Sequence, residues 1–455
     1  MRDIQDEVVS FTQELIQIPS LTGDEGALAQ VVFEKLRAIG VDEAFIDEIG
    51  NVVGILYGGQ AGPHVLLNNH LDIVPTGNLE NWNGYHPFGA EIDQNGNIHG
   101  RGAADDKAGL SVQLYAMKLM KSLRDTGIAL PGNVLFASVV HEEAAEMFGI
   151  EYLCKKTLPR KGITFDVVFL GEPTDLNLKL GHRGKVEIVV TTRGKTAHSS
   201  TPWAGINALQ KMIPILETVF DCMGENLARH PELGQGSVTI TNLVCRPGTL
   251  SIIPDECEIS VDRRYVPGET LEGIVEEFQQ VLEHLKKKDS QLEASVGVRT
   301  FREKSYTGYE KEVQKHHPVW ITAKEHPFVR KTFRALQHVG QNPQISYWPG
   351  GTDGSLTAGL MGIPTIGYSG MQFNYAHTPQ EMVSIQMMMR SLEGYFAILC
   401  ELFEIDANDL SSIYRFHTGG TGLMQAHHIK GIQECIRPLA PAEYREGRKT
   451  SHGSE

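Results

Sequence analysis

Histidines and carboxylates recur in this sequence just beyond short apolar runs. His70 and Asp72 follow Val65–Leu67, and His141, Glu142 and Glu143 follow Val134–Val140. Glu172, in Gly171-Glu172-Pro173-Thr174, follows Val167–Leu170, and Ala376-His377-Thr378 comes shortly after Ile363–Ser369. A fifth segment, Gly100-Arg101-Gly102-Ala103-Ala104-Asp105-Asp106-Lys107, adds two adjacent aspartates. Singly, each is ordinary: H-x-D is a polar strand end, the Gly-rich loop a turn, and Glu142-Glu143 an acidic helix start favoured by the dipole. Together they are not, because open α/β sheets gather their ligands beyond the carboxyl ends of the strands. So many carboxylates in one cleft would repel one another and raise their pKa values. Divalent metal supplies the missing positive charge. Imidazole and carboxylate without thiolate suit zinc, cobalt or manganese. Two ions bridged by a carboxylate, about 3.5–4 Å apart, are the usual arrangement for aminopeptidase-type hydrolysis. The zinc-helix motif H-E-x-x-H does not apply, since Ala145 stands where its second histidine would be.

The surrounding periodicity supplies elements to position these groups. Residues 7–17 and Glu25–Ile39 read as amphipathic helices, with Gly40 as a stop signal. Val52–Tyr57, Val65–Leu67, Val134–Val140 and Val167–Leu170 are apolar runs of strand length, and Ala108–Leu123 is helical. Buried strands alternating with helices predict a largely parallel sheet covered on both faces. From about residue 185 the order becomes β-α-β-β-α-β: Val186–Thr192, a helix over 209–220, Val238–Val244, Glu256–Tyr265, a helix over 271–285, and Leu292–Thr300. That is a ferredoxin-like split motif. Pro214 inside the first of these helices predicts a kink. After about 306 the α/β pattern returns, with helices near 326–339 and 380–404 and strands at Gln344–Trp348 and Ile363–Ser369.

These readings divide the chain into 1–184 and 306–405 as two parts of a catalytic domain, 185–305 as an inserted lid and dimerisation domain, and 406–455 as a C-terminal tail. The 455 residues exceed what one hydrophobic core supports, about 250–300. Acidic residues outnumber basic ones, 56 against 41, for a formal charge of −15. That balance excludes a dedicated nucleic-acid or anionic-membrane binder. Six scattered cysteines form no C-x-x-C pair, and the charged start Met1-Arg2-Asp3-Ile4-Gln5-Asp6-Glu7 has no apolar signal region behind it. No stretch approaches the roughly 20 apolar residues of a membrane span. The expected location is the cytoplasm.

Through about residue 405 the motifs, in this order, resemble the dimetal zinc amidohydrolases and peptidases that include acetylornithine deacetylase, succinyl-diaminopimelate desuccinylase, aminoacylase and glutamate carboxypeptidase. Asp262-Arg263-Arg264-Tyr265 and Asn78-x-x-Asn81-Trp82 resemble the branch of selenium-metabolism-linked hydrolases. The resemblance implies a zinc-peptidase-like three-layer α/β catalytic domain with a ferredoxin-like lid. It implies two divalent ions, zinc before cobalt or manganese. His70 and Glu172 would hold one, Glu143 and His377 the other, with Asp105 bridging. Asp72 would orient His70, and Glu142 would be the general base that passes a proton to the leaving nitrogen. In Gly194-Lys195-Thr196-Ala197-His198-Ser199-Ser200-Thr201-Pro202, His198 resembles the lid histidine that stabilises the oxyanion, often from the partner subunit. Arg264 resembles the clamp on a substrate carboxylate. Gly350-Gly351-Thr352-Asp353-Gly354 resembles the substrate loop, where the backbone amides of Gly351 and Thr352 would approach the ligand. One departure stands out: the family's Asn before its Ile-Pro step is missing from Ser251-Ile252-Ile253-Pro254.

The expected activity is hydrolysis of an amide, peptide, N-acyl or N-carbamoyl bond in a small carboxylate-bearing substrate, by a homodimer paired through the lid. The alternative is a metal- or substrate-binding protein without turnover, against which the intact Glu142 argues. A nucleotide-binding reading of the Gly-rich loops fails, because neither G-x-G-x-x-G nor the P-loop pattern falls where a strand meets a helix. His427-His428 reads as an inert tail pair.

Overall fold

The computed structural model describes residues 4–144, 146–221, 223–224 and 227–405. The expected tail over 406–455, with His427-His428, lies outside these residues.

A nine-stranded sheet runs in the order Glu43–Ile46, Val52–Leu56, Val134–Val139, Val65–His70, Val167–Leu170, Thr365–Gly367, Leu178–His182 and Trp320–Ile321. Its ninth strand, Ile345–Trp348, also pairs with Leu178–His182. Val65–His70 is parallel to both of its neighbours, and Thr365–Gly367 is parallel to Val167–Leu170. Toward both edges the pairing turns antiparallel. The sheet is therefore mixed, not largely parallel: Glu43–Ile46 and Val52–Leu56 form a tight antiparallel hairpin, and the other antiparallel pairs join strands distant in the chain. The parallel centre is fully buried and apolar, as sheets covered on both faces must be. On one face it packs helices Ile4–Gln17, Gly26–Ile39, Lys107–Asp125, Pro327–His338 and Ile385–Leu402. On the other it meets a smaller cluster built on Ile150, Leu153, Leu158, Trp320 and Trp348.

Local signals set several boundaries. Gly40 ends its helix in a left-handed conformation, φ 78°, and its N–H closes the last turn on Leu36 and Arg37. The last helix begins at Ile385 rather than near 380. Met382–Ser384 pairs as a strand with Asn97–His99, and the Ser384 side chain caps the helix at the N–H of Met387. The helix over Ala208–Asp221 continues through Pro214.

A second sheet takes up the middle of the chain. Its order is Ser237–Arg246, Glu256–Tyr265, Gly184–Arg193 and Glu293–Val298, with His316–His317 also on Gly184–Arg193. Helices Ala208–Asp221 and Leu271–Lys288 bury their stripes against it in a separate core that includes Ile188, Met212, Ile215, Ile259 and Phe278. In chain order this inserted unit is strand, helix, two strands, helix, strand. After Val298 the chain does not extend the last strand but turns into a hairpin, Thr300–Lys304 against Glu310–Gln314. Tyr306 at its tip donates to the carbonyl of Gly50 in the larger unit.

Candidate metal centre and active site

Register in the parallel strands brings the sequence-predicted groups together. Val65–His70 pairs His70 with Val139, so residues 141–143 emerge beside it, and Asn68 pairs with Leu170, so Glu172 emerges on the other side. His70 is buried, and its Nε2 lies 3.0 Å from Asp105 Oδ1 and 3.7 Å from Glu172 Oε1. The second Asp105 oxygen, Oδ2, lies 3.2 Å from His377 Nε2, which is also 3.0 Å from Glu143 Oε1. The two oxygens of one carboxylate thus face two imidazoles. Ligand atoms of His70, Glu142 and Glu172 lie within 4.8 Å of one another, as do those of His70, Asp105 and Glu143.

The electrostatics are those of a cluster with too little positive charge of its own, two imidazoles against four carboxylates. Burial and repulsion from Glu172 push the Glu142 carboxyl well above the usual carboxylate range. Burial and the charge of Asp105 do the same to Glu172, and they raise Glu143. Burial would raise Asp105 too, but its bonds to His377 and His70 outweigh that and hold it below the usual range. Those to Asp105 and Glu143 push His377 up to about 10. The donor set fits divalent cations. It is oxygen and imidazole nitrogen, and its 3.0–3.7 Å separations are those of donors sharing an ion at about 2.0–2.2 Å.

The supports are carboxylates placed under backbone N–H groups. Asp72 Oδ1 accepts the N–H of Glu142 at 2.9 Å and Oδ2 that of Glu143 at 3.0 Å, with Thr22 Oγ1 donating to Oδ2 at 2.8 Å. Glu25, fully buried, accepts the N–H of His141 at 3.2 Å. His70 Nδ1 lies 3.0 Å from the Asp72 carbonyl and 3.6 Å from its carboxylate, so the backbone oxygen holds the ring at hydrogen-bond distance. Glu381 Oε1 accepts the N–H groups of Ala104 at 3.0 Å and Asp105 at 3.1 Å, and its other oxygen pairs with buried Arg101. Asp106 turns away into the core, where Gly109 and Gly171 make room. A Cβ at Gly109 would stand 1.9 Å from Asp106 Oδ1. Sequence reasoning missed Thr22, Glu25 and Glu381. The last had a signal, an acid four residues after His377.

The remaining candidates fall in two places. Arg264 is forked on Asp262, at 2.7 and 3.1 Å, and donates to the Pro349 carbonyl at 3.4 Å, which sets it beside the 350–354 loop. In that loop the Thr352 N–H is donated to His182 Nε2 at 3.0 Å, and Gly351 packs against the His317 ring, 2.9 Å from where a Cβ would stand. The Thr352 amide is therefore engaged within the protein. His198 is exposed, and its Nδ1 is satisfied by Ser200 at 3.1 Å from the backbone nitrogen and 2.7 Å from Oγ. Its hydrogen bonds stay within the inserted unit, apart from the carboxylate cluster.

Such a site at the carboxyl end of a buried parallel strand pair, in this two-unit chain, defines a metallohydrolase. Residues 66–403 match peptidase family M20/M25/M40, and the chain belongs to that family. It is 30% identical over 399 residues to the uncharacterized protein YgeY of Escherichia coli (strain K12), covering 87% of this chain and 94% of YgeY. It is 29% identical over 282 residues to succinyl-diaminopimelate desuccinylase of Stutzerimonas stutzeri (strain A1501), covering 59% of this chain and 70% of that enzyme. The aminopeptidase PepT of Bacillus cereus ATCC 10987 shares the fold, with a TM-score of 0.66 at 23% identity over 88% of this chain and 99% of PepT. The chain is a hydrolytic enzyme of this family. Among the described residues, no helix is long and apolar enough to cross a membrane.

Proposed function

We propose that this enzyme is a dimetal hydrolase of an amide, peptide, N-acyl or N-carbamoyl bond in a small carboxylate-bearing substrate. The observation that carries this reading is Asp105, whose two oxygens face His70 at 3.0 Å and His377 at 3.2 Å. His70, Asp105 and Glu172 would hold one ion and Asp105, Glu143 and His377 the other, zinc before cobalt or manganese. When bound, two such ions polarise a carbonyl and supply a nucleophile at neutral pH. Glu142 has its carboxylate within 4.8 Å of ligand atoms of His70 and Glu172, two of the donors proposed for the first ion. It takes a proton from the attacking water and delivers it to the departing nitrogen.

Arg264 supplies a planar fork for a substrate carboxylate, with Asp262 fixing its plane. His198 would approach the developing oxyanion when the inserted unit closes over the site as a lid. Domain limits of 185–305 for the lid, pairing of two lids in a homodimer, and a cytoplasmic home complete the reading. Two observations support the pairing: Ser237–Arg246 is an edge strand, and Ile213 and Phe220 are exposed on the helix beside it.

The test is Glu142→Ala, loaded with zinc, cobalt or manganese and assayed against dipeptides, N-acyl and N-carbamoyl amino acids. Metal content should match the parent enzyme while turnover falls about 10²–10⁴-fold. Unchanged turnover at full metal content overturns the role of Glu142. No hydrolysis of any such substrate by the metal-loaded parent enzyme overturns the reading itself.

A further inference from the structure

Cys245 and Cys257 lie directly opposite each other on antiparallel strands of the inserted unit, with Sγ atoms 3.4 Å apart. Opposed residues in such a pair have Cα atoms about 4.5–5.5 Å apart, inside the range a disulfide bridges. Both sulfurs are free thiols; Cys257 is fully buried and Cys245 half-buried. Neither touches the carboxylate cluster, and the proposed catalysis uses neither.

Their position gives the pair a consequence. The strands that carry them are joined by residues 247–255, and this loop forms the seat of His198. The N–H of Ile253 donates to Ala197 O at 3.0 Å, that of Ser199 to Ser251 O at 3.0 Å, and His198 bridges to Ile252. A bond between the two cysteines would tie the base of that loop, two residues before its start and two after its end.

We infer that Cys245 and Cys257 form a reversible disulfide site that responds to peroxide and fixes the loop on which His198 rests. Burial, with the contact to Cys245, pushes the Cys257 thiol up to about 12, so the half-buried Cys245 reacts first. The Cys245 thiolate attacks one peroxide oxygen, forming an S–O bond, breaking the O–O bond and releasing hydroxide. The Cys257 sulfur then displaces the hydroxyl, which leaves as water with the thiol proton, and the S–S bond forms. Two thiols are oxidised and one peroxide is reduced to two waters. A dithiol reductant reverses the step.

The experiment treats the full chain with hydrogen peroxide, blocks free thiols with iodoacetamide, and cleaves before Asp255, which separates the two cysteines. The expected product is one linked fragment pair, two hydrogens lighter than the sum, that dithiothreitol separates. In the oxidised protein the amides of Ser199 and Ile253 should exchange with solvent about tenfold more slowly. Cys245→Ser, at the half-buried position, should abolish both effects, while Cys257→Ser should leave a sulfenic acid at Cys245 that dimedone traps. Alkylation of both cysteines after peroxide overturns the site, as does oxygen addition at Cys245 without linkage in the parent protein. Linkage with unchanged exchange at Ser199 and Ile253 overturns its effect on the loop.

Discussion

The Asp72 carboxylate accepts the backbone N–H of Glu142 at 2.9 Å, while the Asp72 carbonyl, not the carboxylate, holds the His70 ring at hydrogen-bond distance. Side chain and backbone of one residue thus serve different partners, the side chain the turn that carries the proposed base and the backbone a proposed ligand. In Asp72→Asn, the amide would point a donor at one of the two N–H groups on that turn. The turnover number should fall about 10–100-fold, with metal content little changed. Loss of metal at unchanged turnover per bound ion would reverse the assignment.

Asp105 is held from behind by Glu381, which accepts its N–H at 3.1 Å and pairs with buried Arg101. Removing one partner strands a buried charge, so Arg101→Met should cost about 3–5 kcal/mol of stability. Burial already pushes the Glu381 carboxyl up to about 7, despite Arg101. The double change Arg101→Met with Glu381→Gln should recover a large part of that loss in urea unfolding, because no charge is left unpaired. Activity should stay low, since the two N–H groups near Asp105 keep only a weaker acceptor. Additive losses in the double variant would show that the pair acts separately.

Most of the candidate metal-site residues were legible because they follow short apolar runs, and buried parallel strands deliver their ends to one edge of the sheet; Asp105, in the Gly-rich segment 100–107, was legible only beside them. Val167–Leu170 and Glu256–Tyr265 form strands over the same residues that periodicity predicts. What was not legible depends on long-range pairing. Arg101 and Glu381 are 280 residues apart, and nothing local in either segment announces the other. Val52–Leu56 was legible as an apolar run, but the outermost strands of the main sheet, Glu43–Ile46 and Trp320–Ile321, have four and two residues, too short for a period to register. Thr352 was read as an amide free for ligand. Its partner His182 comes from a strand whose run, Leu178–His182, has no clear alternation.

That histidine gives a pH prediction. Burial lowers His182 from the ordinary 6.5 to about 4, and its Nε2 must be unprotonated to accept the Thr352 N–H. The unfolded chain takes up its proton near pH 6.5 and the folded one only near 4. Stability is therefore fully present above 6.5 and falls as pH drops from 6.5 to 4, by about 3 kcal/mol for this one group. His182→Gln should be less stable at pH 7 but show a shallower decline below 6.5 in urea unfolding. An unchanged slope would mean that the imidazole is not the titrating group.

The last prediction concerns whether one site is built from two chains. Phe220 is 68% exposed, Ile213 46% and Leu243 43%, on one helix and the edge strand beside it. Apolar side chains next to an open strand edge are suited to a second copy across a two-fold axis. Sedimentation at micromolar concentration should give a dimer, and Ile213→Asp should shift it toward monomer. His198 is exposed and bonded only within its own unit, so it is free to serve the neighbouring subunit. Mixing Glu142→Ala with His198→Ala, each nearly inactive alone, separates the two arrangements. If His198 acts across the dimer, half of the mixed dimers are heterodimers, and each heterodimer contains one complete site. After subunit exchange, activity should return to about a quarter of the parent level. If His198 serves its own subunit, no dimer contains a complete site and the mixture stays inactive.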